Sequence, residues 1–265
     1  MKKFMLFLLL SLIINCGYYD TEKKVELGSS KVELGEFYSK NRNYIYFFEN
    51  KIEGADPETF EIMGIYARDK NRVYLRGEEI KNIDSKTFKL LGQYYGVDYK
   101  SVYYTDIQLM RADPETFEII GNFYSKDKNR VYLRDRELGN SDPKTFNIID
   151  KDYSKDKKTV YFWEVEIKGA DPQTIKILDD GYSTDKNSVY YLENKMEKAD
   201  LKTFEVLNFR YSTDKNNVYF RDEVINEANP GTFRSVDHGE SGDGLRYDAE
   251  DKNNFYENGG IIKKK

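Results

Sequence analysis

Six aspartates, Asp69, Asp98, Asp127, Asp156, Asp185 and Asp214, each open a triplet that reads Asp-Lys-Asn in four copies; Tyr99 and Lys100 follow Asp98, and Lys157 and Lys158 follow Asp156. An aspartate with an asparagine two residues on begins many calcium loops. Here, however, the slot two residues beyond the asparagine is apolar, as Val131 is after Asn129, and no glycine or distal glutamate follows to complete a coordination shell. Aspartate also bonds the backbone two residues on, and asparagine accepts the left-handed conformation. The triplet is therefore expected to be a tight hairpin turn, with no metal or cofactor held there. A turn of this kind should accept Asn in place of Asp127 at small loss.

A second set is aromatic: Tyr46, Tyr74, Tyr103, Tyr132, Tyr161, Tyr190 and Tyr219 recur one per block. Aromatic faces stack on sugar rings, so this ladder is the candidate binding surface for a glycan or a protein, although cross-strand rings also simply stabilise sheets. Catalytic chemistry finds no seat. There is no nucleophile elbow, phosphate-binding glycine loop or paired-histidine zinc motif, and His238 is the only histidine, in a loop Asp237 to Gly244 that also carries Glu240 and Asp243. The loop reads as an insertion before the last block. An enzyme acting on polysaccharide would need two carboxylates about 5 to 10 Å apart, and nothing selects such a pair.

These residues need elements to hold them, and the elements repeat. A leading tyrosine recurs at Tyr38, Tyr66, Tyr95, Tyr124, Tyr153, Tyr182 and Tyr211, at intervals of 28 and then 29 residues, and a truncated eighth copy starts at Tyr247. After the Asp-Lys-Asn turn comes a four-residue alternation in which Ile45, Val73, Val102, Val131, Val160, Val189 or Val218 precedes the ladder tyrosine. Period two with β-branched and aromatic residues predicts a strand. A second turn and a return through Ile52, Ile80, Leu109, Leu138, Ile167, Met196 or Ile225 make the block a three-stranded meander. Asp-Pro or Asn-Pro, at Asp56, Asp113, Asp142, Asp171 and Asn229, then caps a single helical turn before an inward phenylalanine such as Phe117. The expectation is a mainly β, open, elongated array of about seven repeats with a partial cap over 247–265. The alternative is a closed propeller-like ring, disfavoured because propeller blades need 40 or more residues.

The N-terminus supplies a location. Lys2 and Lys3 precede an apolar run from Phe4 to Ile14, too short to span a bilayer, so residues 1–15 are expected to be an export signal. Leu12, Ile13, Ile14 and Asn15 before Cys16 resemble the lipobox of bacterial lipoproteins. Cys16 is the only cysteine and is expected to carry the lipid, with 16–31 as a tether and 32–265 as the repeat domain. Gly17 after the cysteine points to the outer membrane or cell surface rather than the inner membrane. The mature chain would carry 40 basic against 47 acidic groups, which disfavours nucleic acid or anionic lipid as a partner. The motif Val-Glu-Leu-Gly occurs at 25–28 and again at 32–35, the second copy being the expected opening strand.

The run YSTDKNSVYY from Tyr182 to Tyr191, recurring in register from Tyr38 to about Tyr256, resembles the DKNYY repeat of bacterial secreted proteins and lipoproteins. The resemblance implies an envelope location and brings no catalytic residues. It leaves a non-catalytic lipoprotein that binds a protein or glycan, or acts as a spacer, as the expected function.

Overall fold

The computed structural model describes residues 31–265 other than Gln93 and Asn122; the signal segment, Cys16 and the tether up to residue 30 lie outside the described residues. Eight antiparallel four-stranded sheets follow one another in tandem, each with its strands in chain order or its reverse. The first is built from β1 (Val32–Gly35), β2 (Tyr38–Lys40), β3 (Ile45–Phe47) and β4 (Asn50–Ile52). A middle one runs Glu118–Gly121, Tyr124–Lys126, Val131–Leu133 and Arg136–Glu137, with Ser125 opposite both Ile119 and Tyr132. The fourth strand is what three strands per block missed. Residues after the capping phenylalanine pair with the leading-tyrosine strand of the next block, so each sheet straddles two sequence blocks.

The Asp-Pro caps form one turn and stop. Thr116 N–H reaches the Asp113 carbonyl at 3.3 Å, and Ile175 and Phe88 reach back to Asp171 and Asp84 at 3.0 Å. The only helical segment among the described residues, a 3-10 turn at Asp179–Gly181, lies elsewhere. The end of the chain is fuller than expected. Arg234–Glu240, Arg246–Glu250, Asn254–Glu257 and Gly260–Lys264 make a complete eighth sheet, which places His238 on a strand rather than in a loop.

Strands of two or three residues are marginal by themselves, and stacking makes up the difference. Each apolar cluster joins one unit to the next: Tyr124, Val131, Leu133, Leu138 and Phe146 are closed over by Tyr161, and Tyr95, Val97, Val102 and Leu109 by Tyr132. The ladder tyrosine thus points back into the preceding unit while its valine neighbours pack into their own. Both faces of the central strand are inside. No strand of the first sheet pairs with the eighth and none of the sheets closes into a barrel, so the array is open.

Candidate functional site

The triplet aspartate is a junction of four donors. One oxygen of Asp127 accepts the N–H groups of Asn129 and Arg130 at 2.7 and 2.9 Å, the local turn that the sequence implies. The other accepts the Tyr132 hydroxyl at 3.0 Å and, also at 3.0 Å, the N–H of Asp113, the cap residue fourteen positions earlier. The same four donors meet Asp69, Asp98, Asp185, Asp214 and, in the eighth unit, Asp251. Burial opposes the charge on Asp69, Asp185, Asp214 and Asp251, but the converging N–H and hydroxyl groups outweigh it and hold these carboxyls below the usual range.

The neighbours of the aspartate bind the same cap. Lys128 N–H donates to the Thr116 hydroxyl at 3.2 Å, and Lys128 Nζ lies 2.7 Å from Asp113. Lys70, Lys157, Lys186 and Lys215 pair with Asp56, Asp142, Asp171 and Asp200 in the same way, at 2.6 to 3.0 Å. Triplet and cap, half a block apart in sequence, form one lock.

The leading tyrosine fastens each unit to the following one. Tyr95 Oη donates towards the carbonyls of Phe123 and Arg134, at 3.3 and 3.1 Å, and Tyr182 towards those of Arg210 and Arg221. These carbonyls flank the second hairpin turn, whose first residue lies in the left-handed region in successive units: Phe48, Arg76, Thr105, Arg134, Trp163, Leu192 and Arg221. Burial raises these tyrosines, Tyr95 to about 12.

Six of the seven ladder tyrosines proposed as a binding face are turned away from solvent. Tyr74, Tyr103, Tyr132, Tyr161, Tyr190 and Tyr219 are 0–2 % exposed, because stacking covers the side of the strand that an isolated sheet would turn to solvent. Tyr46, in the first unit, is half-buried with Lys31 Nζ 4.1 Å from its ring centroid. Asp243 of the acidic loop is paired with Lys263 at 2.6 Å, and that lysine and Ser241 hold its carboxyl down at about 2. A hollow of 410 Å³ contains Asp180 and Asp248, but Asp180 accepts the Arg210 N–H at 3.0 Å and Asp248 accepts Tyr211 Oη at 2.7 Å and the Asn258 N–H at 2.9 Å.

Solvent instead meets the residues just before each leading tyrosine and at each second turn. Phe37, Phe48 and Phe123 are exposed there, Tyr94 and Trp163 half-buried. Tyr94 and Phe123 have ring centroids 6.5 Å apart, and the Arg134 guanidinium lies 4.7 Å from Phe123 and 5.7 Å from Trp163, so these side chains run as a ridge across three units. Sequence reading passed over them because their type changes from block to block.

A repeat in which aspartate, lysine, threonine and both tyrosines are all spent on stacking is a structural signature. The DKNYY family model matches residues 38–165, 66–194 and 124–260, overlapping spans that together cover most of the sequence. The chain belongs to the DKNYY family. No curated protein and no solved structure matches it. Within this DKNYY chain the defining motif builds the array.

Proposed function

We propose that this DKNYY protein is a non-catalytic, lipid-anchored cell-envelope protein whose rigid array holds variable turn residues out for a protein or glycan partner, or spaces such a partner from the membrane. The observation that supports this reading is the bonding of the repeated polar residues: the motif that fills the chain is committed to neighbouring units, leaving the ridge of Tyr94, Phe123, Arg134 and Trp163 as the surface with recognition chemistry. Cys16 would supply the anchor and an outer-membrane or surface address.

A glycan and surface-protein binding screen on the chain from Gly17 onward tests the reading, with Phe123→Ala and Trp163→Ala as the informative variants. A hit lost in both variants with the melting temperature within a few degrees of wild type supports it. Hydrolysis of an envelope polysaccharide that disappears with Asp180→Asn and Asp248→Asn would replace it with the enzyme reading. Replacing Cys16 with Ser should move the protein from membranes into the soluble fraction, since the lipid on Cys16 would be its only covalent attachment and two rings alone hold a chain weakly. Retention on membranes would overturn the anchor.

A further inference from the structure

The first unit carries an apolar feature that later units lack. Phe37 and Phe48 stack with centroids 4.7 Å apart and planes 20° from parallel, yet they remain 62 % and 56 % exposed. Phe48 N–H donates to the Phe37 carbonyl at 2.7 Å, and both residues lie in the left-handed region, at φ 51° and 69°, so the backbone turns the rings outward, with Phe47 edge-on to both of them. Ile65 and Arg76 of the second unit complete an open hollow of 430 Å³ against them. Down the array the slot of Phe37 passes to Ile65, Tyr94, Phe123, Asp152, Gly181 and Arg210, and that of Phe48 to Arg76, Thr105, Arg134, Trp163, Leu192 and Arg221. Only the first unit fills both with phenylalanine, and the next exposed phenylalanine, Phe123, already has Arg134 over it.

The position of this pair says what covers it. Residues 17–30 separate Cys16 from the first described residue, Lys31, and that length of chain reaches about 50 Å at full extension. We propose that Phe37 and Phe48 dock on the lipid surface beside the anchor and so fix how the array stands on the membrane; the location rests on the lipid-anchor reading above. Apolar burial must carry the contact, because its rim holds both signs of charge. Glu36 and Glu49 stand beside Arg76 and Lys31, the last paired with Glu49 at 2.8 Å. An acidic chain gains nothing from anionic headgroups, so a zwitterionic surface suffices.

The single cysteine allows a test that does not depend on natural acylation. The chain from Cys16 to Lys265 is coupled through its thiol to a maleimide phospholipid in phosphatidylcholine vesicles with brominated acyl chains. Trp163→Phe removes the only tryptophan, and Phe48→Trp or, in a second protein, Phe37→Trp reports contact. At least twofold quenching relative to unbrominated vesicles is expected, unchanged by high salt and lost when the partner phenylalanine becomes Ser. Equal brightness on both kinds of vesicle in both reporters would overturn the contact. So would a concentration-dependent blue shift without vesicles that persists unchanged on them, which would mean that a second copy covers the rings. The mass of the N-terminal peptide from native membranes decides separately whether Cys16 is acylated.

Discussion

At Asp127 the carboxylate has four donors and no room for an amide that must itself donate. The local half of this bonding, two N–H groups within three residues, was legible in the sequence; the half that comes from Asp113 and Tyr132 was not, because it depends on how blocks fold against one another. Asp127→Asn should therefore cost about 1 to 3 kcal/mol of array stability rather than the small loss expected of an isolated turn, measured by urea unfolding. The first unit shows the exception. Asn41 accepts the N–H groups of Asn43 and Tyr44 while its amide donates to Tyr46 Oη at 3.1 Å, with no earlier cap among the described residues to satisfy. Tyr161 Oη, by contrast, is buried without a well-formed hydrogen bond, Thr159 and Asp156 lying near enough only to act on it weakly. Its neighbour Thr159 occupies the slot of Asn217 and Asn254, whose amides donate to Tyr219 and Tyr256 at 3.1 and 3.0 Å. Thr159→Asn should accordingly stabilise the protein by about 0.5 to 1.5 kcal/mol, and a fall in the urea midpoint would refute this account.

Within the second hairpin, one peptide can face its tyrosine in two ways. Where Asp or Glu follows the left-handed residue, as after Thr105, Arg134, Trp163 and Arg221, the carbonyl faces the preceding unit and the tyrosine donates to it. Where glycine follows, at Gly77 and Gly259, the N–H faces it instead and Tyr38 or Tyr211 accepts, at 2.9 and 2.8 Å. Only glycine suits this second form, since Gly77 has φ +83° and a Cβ there would stand 2.6 Å from Phe47 Cβ. Tyr95→Phe should thus take the tyrosine partner from the part-buried Arg134 carbonyl, the Phe123 carbonyl keeping the Arg134 N–H at 2.8 Å, and cost about 1 to 3 kcal/mol, seen as a lower melting temperature with an unchanged circular dichroism spectrum. Alternation along the valine strand announced its existence, though the strand spans three residues, as in Val131–Leu133, and not the four that alternate. Its second face was misassigned because period two distinguishes two faces without saying that both are covered.

Across the whole molecule these bonds set the response to pH. Aspartates held below their usual range favour the folded state when charged, so their contribution is present above about pH 4 and is lost as pH falls through the depressed values. Burial raises Tyr103, Tyr190 and Tyr256 to about 12; their contribution is whole below pH 10 and is lost as pH rises towards those values, each by on the order of 1 kcal/mol. The urea midpoint should be flat from about pH 5 to 9 and fall on both sides, and a midpoint that holds at pH 11.5 would contradict the burial of the tyrosines. Removing whole units from the C-terminus should lower stability in steps, because each lock ties only adjacent units. That neighbour-only wiring has a consequence for the gene. A duplication or deletion of one 29-codon stretch joins a unit to another of the same chemistry, so recombination can lengthen or shorten the protein without redesigning any contact, and reach becomes a quantity that evolves independently of recognition.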